Sequence, residues 1–210
     1  MVCSCPLSAA LPTLPAITCI EDFGQIQKVA FQRIFKADGS KNSFLATADM
    51  KLKANWTPLL VAADDTKVVI SPYIQAPTTE PGAAREFGGG NETLGGVSII
   101  VGREPSPFTG VLRSAPQSVI KILKTLQCEN IGVYLFDENG AIGAIEDTVT
   151  AGKYYPIPIR SFFVSDKGFG GLENPDSNNI QWMYLPNYSD DLKKVKPTDF
   201  NPLTDLVASV

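Results

Sequence analysis

SAPQSVIKILKTLQCENIGVYLFDENGAIGAI, residues 114–145, sets out a helix, a strand, a tight turn and a returning strand in one stretch. Val119, Ile120, Leu123 and Leu126 recur at helical spacing, which lays one apolar stripe along residues 115–127 while Lys121, Lys124 and Thr125 face away. Ser114 and Gln117 have the spacing of a capping box, and Pro116 falls in the first turn, where its missing N–H does no harm. Ile131 to Phe136 reads as a strand, Asp137-Glu138-Asn139-Gly140 as a hairpin turn and Ala141 to Ile145 as the return. An amphipathic helix beside such a hairpin needs a sheet to lie on. The expected class is therefore mainly β (α+β), a β-sandwich or barrel-like set of sheets with one main packed helix at about 115–127.

Strand patterns continue on both sides of this stretch. Gln25 to Phe35 places Val29, Phe31 and Phe35 on one side, and Asp38-Gly39-Ser40 is turn chemistry. Thr57 and Pro58 predict the cap and first residue of a short helix reaching about Ala63. Lys67 to Tyr73 and Val97 to Val101 are continuous β-branched runs, the pattern of strands buried on both faces. Between them lies a segment without periodicity, residues 75–96, rich in glycine and proline. Connections of that length are mostly functional or disordered. Tyr155 to Val164 and Ile180 to Leu185 alternate as strands joined by the loop from Asp166 to Asn179. Residues 1–20, with Pro12 and Pro15, cannot close into a helix and read as an extended arm. The expected partition is thus an arm (1–20), a single β-rich domain (21–187) with a long loop (75–96), and a polar C-terminal tail (188–210) ending in a short apolar turn at Leu203, Leu206 and Val207.

Composition removes several classes of function. The 210 residues are 44% hydrophobic and carry a net charge of −4, so there is no basic stripe with which to grip phosphates. Histidine is absent, which excludes Ser-His-Asp and Cys-His hydrolysis, His-ligated zinc and imidazole acid–base chemistry for the isolated chain. Cys3, Cys5, Cys19 and Cys128 lack the spacing of a zinc site and read as free thiols. No Lys or Arg precedes Lys28, so no signal-peptide pattern is present, and no window has the ~18 apolar residues of a membrane span. The glycines from Gly88 to Gly96 fit neither a P-loop nor a dinucleotide fingerprint. The carboxylate doublets Glu21-Asp22, Asp64-Asp65, Glu146-Asp147 and Asp190-Asp191 leave a carboxylate-based hydrolase or a calcium loop open, although neighbours on a strand point to opposite faces. Ile180, Trp182 and Tyr184 share one strand face, and with Tyr154, Tyr155 and Tyr188 they read as core or interface, or as a sugar-stacking platform.

FGQIQKVAFQRIF, WTPLLVAADDTKVVISPYI, EFGGGNETLGGVSIIVGREPSPFTG and the stretch quoted first together resemble virion structural proteins of phages and prophages of Bacteroides-type gut bacteria, crAss-like phages among them. The resemblance covers about three quarters of the chain and is to overall sequence texture. Within that group the layout is similar to tail-tube-type proteins. That implies subunits closing into rings with a continuous β-barrel inner wall, and loops and arms binding the next subunit. It implies no catalytic residue and no cofactor. The expected role is a non-enzymatic subunit of a tail tube or head–tail connector ring, a homo-oligomer that meets other virion proteins and passes DNA through its lumen without specific binding. Such a protein is made in the host cytoplasm and resides in the virion. The expected interface residues are Phe87, Gly88, Gly89, Gly90, Asn91 and Leu94 in the loop and Leu7, Leu11 and Leu14 in the arm. A capsid-associated decoration protein and a carbohydrate-binding module remain as alternatives.

Overall fold

The computed structural model describes residues 13–16 and 22–207. Its elements, in chain order, are β1 (Ile26–Arg33), α1 (Lys53–Val61), β2 (Val68–Ile70), β3 (Gln75–Thr79), β4 (Ala84–Phe87), β5 (Ile99–Arg103), β6 (Ser106–Arg113), α2 (Gln117–Thr125), β7 (Ile131–Asp137), β8 (Ile142–Glu146), β9 (Tyr154–Tyr155), β10 (Ile157–Val164), β11 (Ser177–Tyr184) and β12 (Leu192–Val195). The fold is mainly β, as the sequence predicts.

β7 organises the rest. All seven of its residues are buried, because its two faces serve two cores. Val133 and Leu135 enter one core, and Tyr134 and Phe136 the other. One edge of β7 pairs antiparallel with β1 along its whole length, from Ile131↔Arg33 to Asp137↔Ile26. The opposite edge is shared: Gly132 and Val133 pair with β10, while Leu135 and Phe136 pair with β8. The sheet forks there. Gly132 makes the fork possible, since a Cβ on it would stand 2.8 Å from Pro156 Cβ and 2.9 Å from the Ile157 carbonyl oxygen.

One limb runs β7-β10-β11-β6-β3, all antiparallel. It curls back on β1, where the Ile74 N–H donates to the Gln27 carbonyl at 2.7 Å. The result is barrel-like, and Phe31, Phe108, Val133, Ile157 and Trp182 fill its interior. The other limb, β7-β8-β12, carries the second core on its outer side, around Trp56, Tyr134, Phe136, Leu203 and Leu206.

Helix α2 lays Ile120 and Leu123 into the barrel core, with Val119 and Leu126 packed at its margin and Lys121 exposed. Lys124 pairs instead with Asp166. The capping box does not form. Ser114 takes φ +51° and its N–H donates to the Asp176 carbonyl, while Pro116, in extended geometry, becomes the cap. Buried Ala115 holds the chain in that path and leaves the serine two positions too early. Leu123→Ala should cost about 2–5 kcal/mol through lost burial and a residual cavity. Lys121→Ala should stay within about 0.5 kcal/mol. Denaturant midpoints of the two variants test this, and equal costs would place the wrong face inward.

Other expectations need correction. Helix α1 starts four residues before Thr57, so Pro58 lies inside it. Its first N–H, at Lys53, is accepted by Asp199 Oδ1 at 2.9 Å, a cap supplied from far along the chain. β2 is three residues long, pairs only with β1 and is partly buried, not a strand covered on both faces. Phe35 lies beyond the end of β1 and is exposed. The segment expected as a loop at 75–96 contains β3 and β4. The expected tail also supplies a strand, β12, which pairs with β8 from Leu192↔Ile145 to Val195↔Ile142. Leu203 and Leu206 are core residues.

Candidate assembly surface

After the Glu80 N–H to Pro107 carbonyl bond (3.1 Å) the β3–β6 ladder breaks around Pro81 and Pro105, which cannot donate a ladder hydrogen bond. It resumes as a separate two-stranded hairpin of β4 and β5. The register runs Ala84↔Arg103, Arg85↔Gly102, Glu86↔Ile100 and Phe87↔Ile99, with a bulge between Arg85 and Glu86. Gly82 N–H to Ser106 Oγ (3.0 Å) and Arg103 to Asn187 Oδ1 (2.6 Å) anchor the base.

The tip is built on glycine. Gly88, Gly89, Gly90, Gly95 and Gly96 all have positive φ, and a Cβ on Gly88 would fall 2.2 Å from Thr93 Cγ2. Thr93 knits the turn together. Its hydroxyl accepts from the Gly89 N–H (3.1 Å) and donates to the Val97 carbonyl (2.6 Å).

One face of this hairpin is apolar, the other carries Ile100 among polar groups, and the described residues leave both bare. Register and strand alternation put Phe87, Val97, Ile99 and Val101 on one face and Ile100 beside Glu86 on the other. Ile99, Ile100 and Val101 are all more than half exposed, Phe87 and Val97 likewise, and Leu94 at the tip is fully exposed. Scattered exposed leucines are ordinary, but a contiguous apolar patch of this kind marks an interaction surface. Arg85 is exposed and has no side-chain hydrogen bond among the described residues.

The residues expected at an interface, Phe87, Gly88, Gly89, Gly90, Asn91 and Leu94, thus sit together at the end of the hairpin. Leu14 is exposed, while Leu7 and Leu11 lie outside the described residues. Sequence reasoning missed Val97 and Ile99 to Val101 as surface residues because a continuous apolar run reads as buried. The prolines on either side of the hairpin, Pro81 and Pro105, were the available sign that it leaves the main sheet.

Several of the other candidate side chains have structural roles. Trp182 stacks on Phe108 at 3.9 Å and 10° inside the barrel, and Tyr184 is equally buried, so neither can receive a sugar. Asp64 accepts from the Thr66 N–H at 2.9 Å and from its hydroxyl at 2.5 Å, and the Thr66 hydroxyl holds its carboxyl below the ordinary value. Asp147 accepts from the Val149 N–H (3.0 Å) and Tyr155 OH (3.1 Å) and is lowered in the same direction, first by Val149. Such groups stay ionised and fasten turns. Among the described residues no three His, Cys, Asp or Glu side chains gather as metal ligands, and no helix is long and apolar enough to cross a membrane. Cys128 is exposed and free, whereas Cys3, Cys5 and Cys19 lie outside the described residues.

No protein-family model and no curated protein matches this chain. Among solved structures, one described as the tail of an empty GTA particle, computed with helical refinement and C6 symmetry, is similar at 11% identity and a TM-score of 0.33, over 59% of this chain and 86% of that one. Overlap of that order carries no weight for fold or function, which rest on the geometry above.

Proposed function

We propose that this chain is a non-enzymatic structural subunit of a phage virion, assembling into a tail tube or head–tail connector ring through which DNA passes. The observation that carries this reading is the β4–β5 hairpin, with one apolar face that none of the described residues of its own subunit covers. A strand with that pattern is stable only when something buries it, and a second copy is always at hand. The sequence resemblance to virion structural proteins supplies the setting. Net charge −4 agrees with a conduit, because a strongly basic lumen would hold the passing phosphates. The N-terminal arm, through Leu7, Leu11 and Leu14, is a second contact in this scheme.

Purified protein should form rings or tubes visible by negative-stain microscopy. Burying one Ile side chain is worth about 1.5–3 kcal/mol. The pair Ile99→Asp and Ile100→Asp should therefore weaken self-association by about a hundredfold or more, with the unfolding midpoint of the subunit unchanged. A wild-type chain that stays monomeric at every attainable concentration would defeat the reading.

A further inference from the structure

On the far side of β1 from the outer core, an open groove of about 620 Å³ lies between β1, the free edge of β2 and the turn that follows α2. Its floor is apolar: Phe31, Val69, Leu126 and Ile131. Its rim is charged, with Asp64, Asp65 and Lys67 on the β2 side. Across the groove Arg33 and Glu129 satisfy each other at 2.7 and 2.9 Å, so that pair asks for no outside partner. We propose that this groove receives the β4–β5 hairpin of a second copy of the chain. The inference rests on the assembly reading above and adds where the hairpin docks.

Size and charge both favour that occupant. The volume lies within the roughly 300–1,000 Å³ of clefts that enclose drug-sized ligands, which is room for several side chains of the Phe87, Ile99 and Val101 face. No hairpin residue lines the groove of its own subunit. Arg85 lies on the Phe87 side of β4 by strand alternation, and the rim offers its complement in Asp64, whose Oδ2 accepts no hydrogen bond among the described residues. β2 pairs on one side only and β5 likewise, so two open strand edges would also meet and relieve each other. Donor and acceptor are different patches, so the contact is head-to-tail. Contacts of that kind generate rings when the rotation closes and filaments when it does not, whereas hairpin meeting hairpin would stop at a dimer.

Mixing variants tests the placement. A donor-dead chain carries Ile99→Asp and Val101→Asp, and an acceptor-dead chain carries Val69→Lys. Since Val69 is half-buried, Asp64→Arg on the exposed rim serves as a second acceptor variant; it also releases the Thr66 turn, so all are checked for wild-type unfolding. By native mass spectrometry the donor-dead chain and the Val69→Lys chain should each be monomeric alone. A one-to-one mixture of donor-dead and acceptor-dead chains should give heterodimers and nothing longer. Asp64→Arg should weaken self-association by about tenfold or more, and Arg85→Glu in the same chain should restore it. Acceptor variants that assemble like wild type would overturn the groove while leaving assembly itself standing. Failure of the charge swap to restore association would overturn the Arg85–Asp64 contact that orients the hairpin. A wild type that never assembles would instead sink the reading beneath both.

Discussion

Trp56→Ala should lower the free energy of unfolding by about 3–5 kcal/mol, the range for removing a fully buried tryptophan. Trp56 is the one buried residue of α1. Its ring packs against Phe44 (4.6 Å), Tyr134 (5.4 Å), Phe136 (5.8 Å) and Phe200 (6.5 Å), so it joins a helix, two loops and the central strand. Its Nε1–H donates to the Met50 carbonyl at 2.8 Å. α1 is only nine residues long and contains Pro58, so tertiary packing of Trp56, with partly buried Leu59 and Leu60 beside it, is what holds it. Trp56→Phe keeps most of the aromatic contact and deletes the donor, leaving a buried carbonyl unpaired at about 1–3 kcal/mol. Guanidinium unfolding should rank wild type, Trp56→Phe and Trp56→Ala in that order. Amide exchange in α1 should accelerate in the alanine variant before the β7 amides do. A loss below about 1 kcal/mol for Trp56→Ala would mean that the outer core adds little to the barrel.

The parts of this fold legible in the sequence are those whose signals are local. The β7–β8 hairpin announces itself through a both-face apolar run ending in Asp-Glu-Asn-Gly, and Gly140 does take the positive φ that such a turn needs. α2 is legible because four apolar residues at helical spacing decide its face whatever the cap does. The errors fall where a distant residue decides. The start of α1 depends on Asp199, 146 positions away, which no local window contains. β12 is a polar four-residue segment, Leu-Lys-Lys-Val, and becomes a strand only because the edge of β8 is waiting for it. The hairpin is the instructive case for the candidate site. The continuous apolar run predicts a strand buried on both faces at Val97 to Val101, and in the subunit Ile99, Ile100 and Val101 are exposed instead. Such a run does not say whether the burying surface belongs to the same chain, and none of the described residues covers it.

Asp137→Ala should be the most damaging polar substitution, at about 3–5 kcal/mol, because it dismantles a buried charged cluster from its centre. The Asp137 side chain is fully buried at the end of β7. Oδ1 accepts from the N–H groups of Ala141 (2.7 Å) and Asn139 (3.0 Å), closing the hairpin turn. Oδ2 accepts from the Lys194 ammonium (2.8 Å) on β12 and the Gly24 N–H (3.3 Å) ahead of β1. Lys194 in turn donates to the Asp22 carbonyl at 2.7 Å. One carboxylate thus ties together the chain before β1, the central hairpin and the last strand. Burial pushes its pKa up, but the Lys194 ammonium and the Ala141 and Gly24 N–H groups more than offset this and hold it below the ordinary value. A depressed folded pKa means that the unfolded chain takes up the proton first. The stabilisation is therefore complete above the unfolded carboxylate value, at about pH 4, and drains away as pH falls through the lower folded value. Asp137→Asn, which cannot titrate and turns an amide toward the ammonium, should be less stable than wild type by a constant amount from pH 7 to about pH 5. The gap should then narrow as the acid limb is entered. Unfolding midpoints across that range test it, and two curves that stay parallel down to pH 3 would show that Asp137 is not among the groups whose protonation unfolds the protein.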